Sequence, residues 1–197
     1  QNTKYAIPYY KDFRIGFTRI NWEPDPMHKE QFQVASEFGA AGIKVLLASG
    51  AQIVKNPETY LPILKENVRK YKGLIEIYES TNESNLIPYI TPEKDVEGMR
   101  LLRETVKSID PAAKIAGPAS CHTDLPWTES VLAKGGAKYL DIITEHPYRN
   151  SPEYPDLALE MQNWRKVIDR YKPGMPHYSS EAGRCQESVL PGNMIDD

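Results

Sequence analysis

Two glutamates each follow a run of residues with the composition of a buried strand. Glu83 comes directly after Asn82, beyond the apolar run 74–79, and Glu181 ends a second strand-like run, residues 177–181. Two carboxyl groups, each at the carboxyl end of its own strand, are the minimum equipment for cleaving a glycosidic bond. That chemistry requires a fold that brings the two side chains together.

The spacing of apolar residues predicts the elements that position these glutamates. From Phe13 onward, short β-rich runs alternate with helical patterns, which is typical of repeated βαβ units around a parallel sheet. The six predicted strands are residues 13–20, 43–48, 74–79, 114–119, 140–146 and 177–181. Each helical pattern carries one apolar stripe that can cover a face of the sheet. The clearest stripes are Leu61, Leu64, Val68 and Tyr71, then Met99, Leu102, Val106 and Ile109, then Leu157, Met161, Trp164 and Ile168.

Length and composition fit one domain with a neutral ligand. The chain has 197 residues, of which 40% are hydrophobic, so we expect a single domain over residues 1–197. A net charge of -3 argues against nucleic acid or an anionic membrane surface as partner, and no run approaches the roughly 20 apolar residues that span a bilayer. Cys121 and Cys185 lack the spacing of a zinc or redox site. A chain that begins at Gln1 without an initiator Met favours a secreted or periplasmic protein.

The βα rhythm fits both a doubly wound sheet and a closed barrel, so the polar residues must distinguish them. The sequence contains neither the G-x-G-x-x-G turn of a dinucleotide-binding sheet nor the phosphate-binding G-x-x-x-x-G-K loop. Its polar residues gather at the carboxyl ends of several strands, as in a (β/α)8 barrel. We therefore predict an α/β fold of the TIM-barrel type, and no cofactor or metal in the reaction.

The segment Glu79-Ser80-Thr81-Asn82-Glu83 makes this prediction specific. It resembles the fourth-strand motif of the clan A glycoside hydrolases, which are retaining (β/α)8-barrel enzymes. The resemblance implies that Glu83 is the general acid/base, and that Glu181, in Tyr178-Ser179-Ser180-Glu181, is the nucleophile at the end of strand seven. A retaining mechanism needs the two carboxyl groups about 5 to 5.5 Å apart, one ionised and one protonated.

Other residues resemble parts of the sugar-binding site in the same superfamily. Glu145-His146-Pro147-Tyr148 is similar to the end of strand six, which implies that His146 and Tyr148 line the sugar subsite and that Tyr148 hydrogen-bonds the nucleophile. Arg19 is similar to the arginine that ends strand two and also contacts the nucleophile. These residues would favour the charged form of Glu181.

Three further residues are candidates for contact with the sugar, and each has a structural alternative. Asn82 would hydrogen-bond a hydroxyl near the reacting carbon, although asparagine is also a common turn residue. Trp22 and Trp127 could each stack on a pyranose face or simply pack against neighbours, whereas Trp164 belongs to a helix stripe. Glu83, Glu181 and Arg19 likewise have the alternative of ordinary surface charges or ion pairs.

A metal-dependent hydrolase is the alternative interpretation of the histidines. It would draw its ligands from His122, Glu145, His146 and His177. A hydrolytic zinc barrel normally shows a close H-x-H pair early in the chain, and here His28 stands alone. The sequence therefore favours the carboxylate pair.

Strands one and eight have no convincing counterparts, so we predict an incomplete barrel. The run Tyr5-Ala6-Ile7 could supply part of strand one, and Ala48-Ser49-Gly50 stands where many relatives carry a histidine after strand three. An open sheet exposes unpaired backbone edges, so we expect a second copy or a partner chain to cover them. Two functions fit: a retaining glycoside hydrolase, or a carbohydrate-binding or scaffolding remnant that has lost turnover.

Overall fold

A computed structural model, which describes residues 3–22, 31–148 and 157–182, contains one parallel sheet in which the strands follow their order in the chain. The six strands are β1 (Phe17–Trp22), β2 (Lys44–Ser49), β3 (Ile75–Thr81), β4 (Lys114–Cys121), β5 (Ile142–His146) and β6 (His177–Ser179). All neighbouring strands pair in parallel. This is the βα order that the sequence predicts.

Helices connect the strands and cover the outer face of the sheet. They are α1 (Thr3–Asp12), α2 (Gln31–Ala40), α3 (Gln52–Lys55), α4 (Pro57–Tyr71), α5 (Pro92–Lys107), α6 (Leu125–Ala133) and α7 (Leu157–Tyr171), with short 3-10 turns at Ser84–Leu86 and Gly136–Lys138. The predicted stripes face inward, since Leu64 and Val68 of α4, Leu102 of α5 and Trp164 of α7 are all buried.

Alternating side chains of the strands build two apolar clusters, one on each face of the sheet. Every residue of β2 after the first is buried, as expected for a parallel strand covered on both sides. Val45 and Leu47 join the large core beneath the helices. Leu46 and Ala48 point to the other face and join a smaller cluster that also contains Ile77, Ala116 and Ile142. The smaller cluster lines the concave side of the sheet.

The sheet curls until its two edge strands approach each other. In a flat sheet of six strands, β1 and β6 would lie about 24 Å apart. Instead, Nη1 of Arg19 in β1 lies 2.7 Å from Oε2 of Glu181, just beyond β6. The six strands thus form a curled half-barrel with flanking helices, which confirms the predicted incomplete TIM-barrel type.

Two predictions near the amino end are wrong. Residues 13–16 precede β1 instead of belonging to it, and Arg14 takes a left-handed φ of 54° that ends strand geometry there. The run Tyr5-Ala6-Ile7 lies in helix α1, not in a strand. The helix forms because Ala6, Ile7 and Tyr10 share one face and pack on the core, where the Tyr10 ring lies 5.2 Å from that of Phe38.

Both outer strands of the described sheet have one unpaired edge, as the sequence predicts. Strand β1 pairs only with β2, and β6 pairs only with β5. Large apolar side chains are exposed in α1, in β1 and in the segment between them, namely Tyr5, Tyr9, Phe13, Ile15 and Phe17. A partner chain or second copy over these edges stays a prediction. Among the described residues, no helix has the length and apolar character to cross a bilayer.

Close packing between β3 and β4 depends on Gly117, which yields a stability prediction. A Cβ added to Gly117 would meet Ser80 Oγ at 2.3 Å and Leu140 at 3.3 Å inside the core. We predict that Gly117→Ala lowers the free energy of unfolding by about 1 to 3 kcal/mol, measured by urea denaturation. The matched control is Gly16→Ala, because an added Cβ there meets nothing within 4 Å. Equal stability of the two variants would contradict this packing.

Candidate active site

Four strands, or the short segments that follow them, supply a cluster of polar side chains on the concave side. Arg19 comes from β1, Glu83 follows β3, His146 ends β5, and Glu181 follows β6, with Tyr148 shortly after β5. In α/β barrels, parallel strands direct their carboxyl ends to the same rim, where the loops can hold functional groups. The fold therefore brings together residues that lie far apart in sequence.

Glu83 and Glu181 face each other at this rim. One carboxylate oxygen of each and one ring nitrogen of His146 all lie within 4.8 Å of one another. Both glutamates are partly open, with 23% and 33% of their side-chain surface exposed. The separation suits a retaining glycosidase, in which two carboxyl groups about 5 to 5.5 Å apart act on one sugar.

The carboxylate of Glu181 receives a donor on each oxygen. Nη1 of Arg19 donates to Oε2 at 2.7 Å, and the hydroxyl of Tyr148 donates to Oε1. Burial, together with the neighbouring Glu181 carboxylate, raises the pKa of Tyr148, so its hydroxyl stays protonated and able to donate. A cation and a hydroxyl thus hold the two oxygens of Glu181 in place.

Arg19 connects the two sides of the site, and only 13% of its side-chain surface is exposed. Its Nε donates to Oε2 of the buried Glu79 at 2.8 Å, and its Nη2 donates to Oδ1 of Asn82 at 2.6 Å. Nη1 also donates to Oδ1 of Asn21 at 2.7 Å. Because a guanidinium is planar and rigid, these contacts fix where its remaining N–H groups point. Arg19 thereby sets the position of Glu181.

His146 lies between the two glutamates, and its side chain has no exposed surface. Its Nδ1 is 3.0 Å from Oε1 of Glu83 and 3.9 Å from Oε2 of Glu181. The other ring nitrogen, Nε2, lies 3.2 Å from Oγ of Ser180. In this structure the histidine contacts the carboxylates instead of facing the open part of the site.

Glu83 is presented by a strained turn that a buried aspartate anchors. Its backbone has φ 48° and ψ 45°, a left-handed conformation that non-glycine residues adopt at a cost of about 1 to 3 kcal/mol. Its N–H donates to the carbonyl of Ala119 at 3.1 Å. The next residue, Ser84, donates its hydroxyl to Oδ2 of the buried Asp95 at 2.7 Å. Contacts on both sides of Glu83 thus hold the turn.

The structure brings together six of the seven predicted site residues: Arg19, Asn82, Glu83, His146, Tyr148 and Glu181. Their functional roles stay predictions. Trp22 ends β1, but its side chain lies outside the described part of the chain, as do His28 and Cys185. Trp164 is buried and stacks on His177 at 5.1 Å, and Trp127 packs against the main core.

The residues that the sequence offered for a metal do not assemble as one group. His177 stacks on Trp164 under the helices, where burial lowers its pKa to about 4, and Glu145 accepts from Ser179. Of that proposed set, only His146 belongs to the cluster of close donor atoms found among the described residues, together with Glu83 and Glu181. The positive charge beside these carboxylates is Arg19.

Sequence analysis missed three residues that support the site: Glu79, Ser180 and Asp95. The role of Glu79 could have been predicted, because a carboxylate in a strand buried on both faces needs a cationic partner. Arg19 is that partner. Asp95 reads as an ordinary acidic residue in the first turn of α5. Ser180 carried no signal, since its contact with His146 exists only after β5 and β6 pair.

The chain is similar to known proteins in its structure but not detectably in its sequence. No protein-family model matches the sequence, and no curated protein matches it. The fold is similar to a glucosidase from Croceicoccus marinus, with a TM-score of 0.74 and 15% identity over 96% of this chain and 49% of that one. It is also similar to a GH39 β-xylosidase from Caulobacter crescentus, with a TM-score of 0.70 and 16% identity over 92% and 49% of the two chains.

A third similar structure is the endoglucanase Cel5A from Thermotoga maritima, with a TM-score of 0.65 and 19% identity over 91% of this chain and 71% of that one. The chain spans about half the length of the glucosidase and the β-xylosidase. At these identities the likeness concerns the fold. The chain therefore shares its fold with part of each of these enzymes, as the resemblance stated from the sequence implied.

Asp95 gives a prediction for the dependence of stability on pH. Burial raises its pKa to about 7, whereas an aspartate in an unfolded chain titrates near 3.9. Between those values the folded state keeps a proton that the unfolded state has lost, so stability falls as pH rises. We predict that going from pH about 4.5 to about 8 destabilises the wild type relative to Asp95→Asn by about 3 kcal/mol, measured by urea denaturation.

The control for this experiment is Asp169→Asn. The N–H of Gly174 and the guanidinium of Arg165 lower the pKa of Asp169, so its contribution is lost only at more acid pH, below that window. Between pH about 4.5 and about 8, the free energy of unfolding of this variant should therefore change in parallel with that of the wild type. If the curve of Asp95→Asn also runs parallel to that of the wild type, the fold does not hold Asp95 protonated.

Proposed function

We propose that this chain carries the catalytic pair of a retaining glycoside hydrolase, with Glu181 as the nucleophile and Glu83 as the general acid/base. The observation that supports this most is the unequal environment of two carboxylates that lie within 4.8 Å. Glu181 has both Arg19 and Tyr148 as donors, whereas the described contact of the Glu83 carboxyl is His146 Nδ1. Two neighbouring carboxyls in different environments can take different protonation states.

In the first step, an oxygen of ionised Glu181 forms a bond to the anomeric carbon. The bond from that carbon to the leaving oxygen breaks, and Glu83 gives its proton to the leaving oxygen. In the second step, the ionised Glu83 takes a proton from water as the water oxygen bonds to the anomeric carbon. The bond from that carbon to Glu181 breaks at the same time, so Glu181 is ionised and Glu83 is protonated again.

The Arg19 contacts explain how the pair is held ready for these steps. Attack requires Glu181 to stay within about 3 to 3.5 Å of the anomeric carbon, and a fixed guanidinium limits its motion. Because Oδ1 of Asn82 accepts from Arg19, the amide NH2 group of Asn82 is left to donate to a sugar hydroxyl. Tyr148, on the other side of Glu181, and Trp22 complete the proposed sugar site.

The proposed substrate class is a β-linked glucoside or xyloside. It rests on the fold shared with a glucosidase, a β-xylosidase and an endoglucanase. The second candidate is a carbohydrate-binding protein without turnover. The observation that favours it is the half-barrel itself, in which β1 and β6 each leave one edge unpaired within the described sheet.

Substitution of the two glutamates tests the proposal with aryl β-glucosides and β-xylosides. We expect Glu83→Gln and Glu181→Gln each to lower kcat/KM by about 100-fold to 10,000-fold, because each removes a group that acts on the reacting atoms. Glu76→Gln is the matched control, since Glu76 lies near the other end of β3 and pairs with Lys44. Near-normal rates in either active-site variant would show that the assignment is wrong.

Covalent trapping separates the two candidate functions. A fluorinated glycosyl donor that forms a slow glycosyl-enzyme should attach to Glu181, as detected by mass spectrometry of proteolytic peptides. Tight binding of the unreacted sugar with no label on Glu181 would favour the binding protein. An inverted anomer in the released product would contradict the retaining mechanism.

A further inference from the structure

Ser180 is the residue directly before Glu181, yet its hydroxyl points to a different partner. Its Oγ lies 3.2 Å from Nε2 of His146. The backbone N–H of Ser180 donates to the carbonyl of Glu145 at 3.2 Å, which continues the pairing of β5 with β6 by one residue. Because this bond fixes the backbone of Ser180, the position of its hydroxyl is set by the sheet.

The partners of the His146 ring determine which nitrogen carries the proton. Nδ1 faces carboxylate oxygens of Glu83 and Glu181, and an ionised carboxylate only accepts hydrogen bonds. When Glu83 is ionised, as the second step of the proposed reaction requires, Nδ1 can bond to its Oε1 only by carrying a hydrogen. With Nδ1–H present, a neutral ring has only a lone pair at Nε2, which needs a donor because the ring has no exposed surface. The Ser180 hydroxyl can be that donor.

This arrangement decides which oxygen of Glu83 is available for catalysis. If Nδ1–H donates to Oε1 of Glu83, the acid form of Glu83 is favoured with Oε1 as its carbonyl oxygen, which is the better acceptor, so the acid proton belongs on Oε2. We propose, on the basis of the proposed function, that Ser180 is a positioning residue. By donating to Nε2 it holds His146 in the Nδ1–H form, and His146 in turn directs the acid proton of Glu83 to Oε2.

The same arrangement serves both steps of the reaction. Oε1 of Glu83 accepts from Nδ1–H when Glu83 is a carboxylic acid and when it is a carboxylate, so His146 neither gains nor loses a proton. The proton that reaches the leaving oxygen comes from Oε2, and the proton removed from water returns to Oε2. Loss of the Ser180 hydroxyl should therefore impair proton transfer by Glu83 but not attack by Glu181.

Leaving-group dependence distinguishes this role from a structural one. With a phenyl β-glycoside, whose poor leaving group needs a proton, we expect Ser180→Ala to lower kcat/KM by about tenfold, the effect of one lost hydrogen bond. With a dinitrophenyl β-glycoside, which departs without a proton, we expect a fall of less than about twofold. Ser180→Thr keeps the hydroxyl and should restore the phenyl-glycoside rate. Equal losses on both substrates would overturn the proposal.

The matched control is Ser179→Ala. Ser179 is the neighbouring serine, but its hydroxyl donates to Glu145 instead of His146. This variant should therefore leave the ratio of the two rates unchanged. If it changes that ratio as much as Ser180→Ala does, the effect belongs to the end of β6 in general, and the role proposed for Ser180 is wrong.

A second measurement does not depend on activity. Nitrogen NMR of the full chain, with the His146 signals assigned by comparison with His146→Gln, reports which ring nitrogen is protonated. We expect a protonated Nδ1 and an unprotonated Nε2 in the wild type, and loss of this pattern in Ser180→Ala. A proton on Nε2 in the wild type overturns the proposal for Ser180. Inactivity of the wild type, with the Nδ1–H form observed, contradicts the proposed function alone.

Discussion

The ion pair between Arg19 and Glu181 is the contact on which the site depends, because it joins the two outer strands of an open sheet. Strands β1 and β6 are at opposite ends of the strand order, and only a curled sheet lets their side chains meet at 2.7 Å. Removing two charges from water is costly, and the attraction between them offsets that cost only where the geometry is good and further hydrogen bonds are made, as Arg19 makes to Glu79 and Asn82. Here the ion pair shows that the sheet is curled, and it holds the Glu181 carboxylate opposite Glu83.

One face of the sheet carries most of the apolar core, and the other face carries the polar residues of the candidate site. The outer face carries the large core with the helices, in which long apolar side chains fill the space. In the described part of the chain, the concave face has a small cluster of five buried apolar residues, and polar groups such as Glu79 and His146 take the positions beyond it. Because the helices supply most of the apolar burial, the concave rim can hold strained or charged groups, including Glu83 in its left-handed turn.

The sequence predicted those features that depend on local pattern. The alternation of βα units predicted the six strands of the described sheet. The positions of Glu83 and Glu181, each after a strand, predicted that their side chains lie close together. It failed at residues 5–7, where aromatic and β-branched residues resemble a strand but pack as a helix on Phe38 and its neighbours. The contacts of Ser84 with Asp95 and of His146 with Ser180 are tertiary, so no spacing in the sequence encodes them.

The unpaired edges of β1 and β6 bear on how firmly the site residues on these strands are held. Arg19 and Glu181 come from, or directly follow, the strands whose outer edges are unpaired in the described sheet. An edge strand that lacks one set of backbone hydrogen bonds is freer to move than a central strand. A polypeptide that paired with β1 or β6 would therefore restrict Arg19 or Glu181 directly. Glu83 and His146 follow or end interior strands, β3 and β5, so they are positioned whether or not those edges are covered.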